Sequence, residues 1–247
     1  MDKIIKITLG LLLVIIIGFV ATSGYTSYVG NAYTKSLTSS YSYHCTITTD
    51  SVLTNVTFFI PVPADPTGNS PVISRISAKS IDGLPEGWQA TLYDTGKSTY
   101  VKVITPSIIP VAGTTAGSPY SVNISVDVSA SKLIDTTNPL DHSAVFYPVQ
   151  DISEITCPSA AGELLPAQHC FEYVTSIYAD YLATPTTSVS ITSSVTGMNT
   201  WNIFNPEYNQ YSNRIYVSMV GENHGWVITR ASLEEGAGNN DAPVIPS

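Results

Sequence analysis

The sequence predicts a mainly β protein: an antiparallel, sandwich-like extracytoplasmic domain, as one unit or two, behind an N-terminal transmembrane helix. Three observations carry this. Residues 4–22 (IIKITLGLLLVIIIGFVAT) form an apolar run broken by one charge, Lys6. From residue 41 onward, about ten short stretches alternate apolar and polar residues between turn signals, and amphipathic helices are almost missing from the pattern. Charged residues make up only 12% of the chain, about half the share usual in soluble domains. Ser, Thr and Asn supply the polarity instead, which suits the exposed faces of strands.

The apolar run is longer than the roughly 7–15 residues of a secretory core and close to the roughly 20 that a spanning helix needs. Lys3 and Lys6 stand at its start and the next base is Lys35, so the N-terminus is expected inside and the body outside. A retained signal anchor over residues 1–22 is the favoured reading. Cleavage after Ala21-Thr22-Ser23 would make it a secretory signal. Cleavage after Gly10 would make it a type IV pilin-like leader, although Leu9 stands where a base is expected and Ile15 where a Glu is. Residues 23–40 are small and polar and read as a juxtamembrane linker. Tyr25, Tyr28 and Tyr33 are placed there to suit the membrane interface.

The β-rich domain is expected over residues 41–233. Residues 41–48 alternate, with Tyr41, Tyr43, Cys45 and Ile47 on one face. Residues 52–62 put Val56, Phe58, Ile60 and Val62 on one face and end in a Pro-rich turn that holds Asp65 and Asn69. Residues 72–82 form a weaker strand pattern. Residues 88–93 and 100–105 read as a hairpin around Asp94-Thr95-Gly96-Lys97. Residues 106–119 read as an ordered loop, and 121–128 (SVNISVDV) as the cleanest strand. Another short strand is expected at 144–149. Residues 171–183 fit a helical stripe through Phe171, Val174, Tyr178 and Tyr181, but β-formers dominate. A hairpin with the Thr-rich strand 188–195 is therefore expected. Strands at 201–204, 214–220 and 226–233 complete the set, and the tail 234–247 is expected to be disordered.

The net charge of −9, without a basic cluster, argues against nucleic-acid binding. Cys157 and Cys170 bracket a Pro/Gly/Ala loop, and in an oxidising compartment a disulfide is expected there. No zinc spacing is present, although His169 and His44 stand beside cysteines. Cys45 reads as a buried, inert thiol. Two N-glycosylation sequons, Asn55-Val56-Thr57 and Asn123-Ile124-Ser125, place both asparagines on the outward side of their strands.

Catalytic motifs are weak. Gly96-Lys97-Ser98 lacks the earlier glycine of a phosphate loop and the helix that would follow it. Ser129-Ala130-Ser131-Lys132 matches Ser-x-x-Lys but ends a strand and lacks the companion Lys-Thr-Gly. His142 and His224 sit in turn sequences, and no Gly-x-Ser-x-Gly elbow exists. Asp65 and Asn69 fall short of a calcium loop. No catalytic, cofactor or metal site is assigned. Of Trp88, Trp201 and Trp226, at least two are expected in the core; a surface aromatic platform for glycans is the other use of such residues.

The series Asn55–Pro63, Gly87-Trp88, Thr95-Gly96, Tyr100–Val103, Tyr178–Tyr181, Asn199–Phe204, Arg214-Ile215 and Gly225-Trp226 resembles archaeal surface proteins of unassigned activity. Those proteins pair an N-terminal membrane segment with an outward β body. The resemblance covers most of residues 41–236 and implies a surface location and no particular activity. The expected function is a membrane-anchored cell-surface protein with a structural, adhesive or binding role. Its expected partners are the bilayer, through residues 4–22, and a surface protein or glycan. An anchored extracytoplasmic hydrolase and a pilin-like filament subunit are the alternatives.

Overall fold

A computed structural model describes residues 3–96, 98–110, 119–157 and 168–241. Two compact units are distinguished: one holds the N-terminal helix with Thr200–Glu207, the other Thr38–Asn199 with Tyr208–Asn240.

In the first unit, α1 runs unbroken over Lys3–Ser36, about 50 Å at 1.5 Å per residue. Its length and composition suffice to cross a membrane over Ile5–Ser36. Its described side chains from Ile5 to Tyr28 are exposed. The expected linker is thus a correction: residues 23–36 are helical and β1 begins at Thr38. No proline interrupts them, and their hydroxyls bond back onto the helix. Thr26 Oγ1 donates to the Ser23 carbonyl at 3.0 Å, and Thr34 Oγ1 to that of Gly30 at 2.8 Å. Packing inside the unit adds to this. Tyr33 meets Trp201 edge to face at 5.6 Å, and Tyr25 and Tyr28 lie 6.4 and 6.1 Å from Phe204.

The second unit is built on one antiparallel sheet. Its strands are β1 (Thr38–Thr49), β2 (Leu53–Pro61), β3 (Gln89–Asp94), β4 (Thr99–Ile108) and β5 (Tyr120–Ser129). They continue with β6 (Gln150–Ile155), β7 (His169–Leu182), β8 (Ser188–Asn202), β9 (Pro206–Val220) and β10 (Asn223–Gly238). The strand order is β3-β4-β2-β7-β10-β9-β8-β1-β5, with β6 beside the first part of β7. Alternating burial gives each long strand one inward row. The inward residues form one apolar core that includes Tyr43, Phe58, Val103, Ile124, Tyr173, Ile177 and Ile191.

The mainly β, antiparallel domain behind an N-terminal helix is as expected. Its layered core arises because the single sheet curls until its two edges approach. Helix α2 (Pro71–Ser77) packs against β3, β5 and β1 and fills the gap between those edges with Val72 and Ile76. The segment after α2 completes the closure: Asp82 and Ser125 exchange two backbone hydrogen bonds of 2.9 Å at the free edge of β5. Gly83 has φ +76°, and a Cβ there would overlap the Asn123 carbonyl oxygen. This position therefore requires glycine.

Four further expectations change. Residues 72–82 are not a strand: 72–77 belong to α2, and the turn after it leads to the Asp82 bridge; Ser70 Oγ accepts from the Ile73 N–H at 3.1 Å and Pro71 opens the first turn. Residues 171–183 are not half of a hairpin with 188–195. β7 pairs instead with β2, β6 and β10, so β8 lies three places along the sheet. Residues 144–149 make only a bridge, Ala64 to Val145, and the next strand, β6, begins after them at Gln150. The expected disordered tail is ordered to Gly238, because β10 stays paired with β7 through Glu235 and with β9 at Ala237 and Gly238, past a bulge. Residues 242–247 lie outside the described residues, as do 111–118 of the expected loop.

Candidate functional site: an aromatic face outside the sheet

Outward positions on five adjacent strands each carry one aromatic ring. These are Tyr93 on β3, Tyr100 on β4, Phe59 on β2, Tyr178 on β7 and Trp226 on β10. The register explains why they meet. Lys102 pairs with Phe59, Phe59 with Tyr178, and Tyr178 with Trp226, so these four residues form one row across the sheet. Tyr93 pairs with Tyr100 one pleat away. Ring centroids lie 4.9 Å apart for Phe59–Tyr93, 5.0 Å for Phe59–Tyr178, 5.5 Å for Tyr178–Trp226 and 5.4 Å for Tyr100–Trp226. The planes of Phe59 and Trp226 are within 20° of each other. Such spacings are those of favourable aromatic pairs. The layer hides Tyr100, 4% exposed, yet leaves Tyr93 47% and Trp226 49% exposed.

Polar groups frame these rings. Lys102 Nζ sits 5.5 Å from the Phe59 centroid, a cation–π distance. One pleat in the other direction, Thr57, Asp180 and His224 form a parallel row. His224 Nδ1 lies 2.7 Å from Asp180 Oδ1, and the Tyr178 hydroxyl donates to Asp180 Oδ2 at 3.5 Å. The predicted turn histidine His224 therefore belongs to the start of β10, on the aromatic face.

The other half of the sheet differs. Outward residues of β1 and β5 include Ser42, Thr46, Thr48, Ser121, Asn123 and Asp127, and these bond to one another. Thr46 Oγ1 donates to Asn123 Oδ1 at 2.9 Å, Thr48 and Ser121 share a 2.9 Å bond, and Ser42 donates to Asp127.

Other sequence candidates fall as follows. Cys157 and Cys170 form the disulfide, with Cα atoms 5.1 Å apart; it ties the chain after β6 to the start of β7. Cys45 is buried and free, and burial pushes its thiol up to about 12, so it stays protonated. Asn55 and Asn123 are both exposed; Asn55 has φ +54° at an irregularity in the β2–β7 pairing. Ser129, Ser131, Lys132 and His142 line one shallow cleft with Tyr41 and Asp65. Among the described residues no hydrogen bond joins these serines to Lys132 or His142, so no activated nucleophile is assembled. Asp65 Oδ1 accepts from the Thr67 N–H, the Thr67 hydroxyl and the Asn69 N–H within its own turn. Among the described residues no group of three or more His, Cys, Asp or Glu is placed to hold a metal. Trp201 is buried, Trp88 packs partly against the core, and Trp226 lies outside.

Sequence reasoning missed the aromatic face because its rings come from strands far apart in the chain. A signal was present within single strands. Phe59 stands between the core residues Phe58 and Ile60, and Tyr178 between Ile177 and Ala179. An aromatic at the outward position of an alternating strand marks an apolar outer surface. Comparison with family models, curated proteins and solved structures finds no match to this chain.

Proposed function

We propose that this chain is a membrane-anchored cell-surface protein whose β domain faces outward and has a non-catalytic, binding or adhesive role. The observation that carries the reading is α1, whose exposed apolar surface needs a partner other than water. Lys3 and Lys6 at its start favour an inside N-terminus. The disulfide, the low charge and the exposed Asn55 and Asn123 suit an oxidising, glycosylating exterior. The resemblance of residues 41–236 to archaeal surface proteins implies the same location. An anchored hydrolase is the less favoured reading: Ser42 Oγ lies 3.1 Å from His44 Nε2, but this contact sits on the exposed outer surface and Ser42 donates its proton to Asp127 rather than to the imidazole.

One observation favours a second reading. The helix continues without a break from the apolar run to Ser36. A rigid helix of this kind suits a pilin-like subunit, whose apolar half packs with other copies in a filament core. Alkaline extraction of membranes, protease treatment of intact cells and N-terminal sequencing separate the readings. The anchor predicts a membrane-retained chain with its original N-terminus and a body digested from outside. A start at Leu11 together with sheared filaments would favour the pilin, and a soluble chain starting at Gly24 would overturn both.

A further inference from the structure

We infer that the outer aromatic face is a carbohydrate-binding surface that takes an extended pyranose chain of a surface polysaccharide. The inference rests on the reading of the chain as a surface protein with a binding role and names the ligand class of that role.

Shape comes first. The rings lie on the outside of a sheet and form a broad face, whereas small apolar ligands and cofactors are taken up by concave pockets. The ligand must therefore be extended. Spacing comes second. Neighbouring strands lie about 4.8 Å apart, and the rings close up further, with Phe59 and Trp226 on strands two apart only 6.3 Å between centroids, so the face is a packed aromatic cluster. Tyr178 stands edge-on to both Phe59 and Trp226, so the stacking positions open to a ligand are the exposed rings on the first and last of the five strands, Tyr93 and Trp226, which an extended chain would bridge.

Chemistry comes third. A pyranose has an apolar C–H face and a rim of hydroxyls. The C–H face fits exposed aromatic rings, and the rim needs donors and acceptors of both kinds beside them. Here Lys102 supplies donors, Asp180 acceptors, and His224 and the tyrosine hydroxyls either role. Tyr93 and Trp226, each about half exposed, are the rings open to a ligand. A phosphate-rich ligand is disfavoured, because one lysine beside a carboxylate in a chain of net charge −9 offers too little positive charge. A purely apolar partner would strip water from the half-exposed Asp180–His224 pair, whose mutual 2.7 Å contact fills only part of its hydrogen-bonding capacity.

The test uses the full chain in lipid nanodiscs, after enzymatic deglycosylation, titrated with chitohexaose, cellohexaose and mannohexaose. Calorimetry and tryptophan fluorescence are the readouts. Saturable binding of at least one hexaose is expected at or below about 1 mM, with a fluorescence change from Trp226. Trp226→Ala and Tyr93→Ala should each weaken it about tenfold or more, while Trp226→Phe restores part of it and Thr46→Ala on the opposite half changes nothing. Thermal melts of each variant establish that it is folded. Failure of all three sugars to bind, or binding that survives both alanine variants, overturns the inference. So does a wild-type dimer in sedimentation that Trp226→Ala converts to monomer, because the face would then be a protein–protein surface. Sugar binding by a chain that alkaline extraction releases from membranes would sink the anchor and leave this inference standing. An anchored chain that binds no sugar would do the reverse.

Discussion

The two outer halves of the sheet share one core and one alternating pattern, yet they meet water in opposite ways. On β1 and β5 the outward row is hydroxyls and amides that hydrogen-bond across the strand pair. From β3 to β10 the outward row is a sheet of rings, with Tyr93 and Trp226 about half exposed. The polar half is complete by itself. The aromatic half leaves apolar area in water, which burial would stabilise by about 25 cal/mol per Å². Exposed apolar patches of this kind mark places where something docks. The pairing also shows that the outer face of a β domain can change character while its core does not, since inward residues are set independently of outward ones.

The largest predicted effect contrasts neighbours on opposite faces. Phe58→Ala, on the inner face, should cost about 3–5 kcal/mol, as expected for a buried ring. Phe59→Ala, on the outer face, should cost about 2 kcal/mol, since it removes contacts with three rings and Lys102 but from a ring that is only partly buried. Urea denaturation of both variants measures the difference, and equal losses would erase the distinction between core and face. Next comes Gly83→Ala, which meets a left-handed φ and the Asn123 carbonyl at once. It should cost about 1–3 kcal/mol and speed hydrogen exchange in β5, leaving the aromatic strands protected.

A pH effect belongs to neither half and serves as a control on both. Burial pushes the Glu235 carboxyl up to about 7 from its ordinary 4.5, with the charges of Asp135 and Glu154 adding to the rise and that of His169 opposing it. The folded protein then holds this proton more tightly than the unfolded chain does. The stability it confers is full below about pH 4.5 and is lost as pH rises towards about 7. His169, raised by its hydrogen bond to Glu154, acts in the same direction. Thermal melts should therefore show a falling midpoint across that window, and Glu235→Gln should flatten the fall. The smallest effect is Thr46→Val in the polar half, expected within about 0.5 kcal/mol by chemical denaturation. A larger loss would mean that the hydroxyl network is structural.

Legibility in the sequence followed the range of the forces involved. Alternation along single strands is local, so β1, β2, β4 and β5 and the hairpin of β3 with β4 could be read directly. The Cys157–Cys170 bridge could be read too, because a short loop separates its ends. The helical stretch 23–36 escaped notice because part of its support, Trp201 and Phe204, lies far along the chain. The partners of β7 escaped for the same reason, as Tyr178 meets Phe59 and Trp226 only through non-consecutive pairing. Ser70-Pro71 was a readable helix start, and Val72, Ile73 and Ile76 follow it at helical spacing, so α2 is the one element whose signal was local and was passed over.

The contrast between the two halves is tested most directly by hydroxyl-radical footprinting of the full chain in nanodiscs, with and without the best-binding hexaose. The account predicts protection concentrated at Tyr93, Tyr178 and Trp226, with oxidation of His44 on the polar half unchanged. Protection at His44 with none at Trp226, or the same small change on both halves, would contradict it.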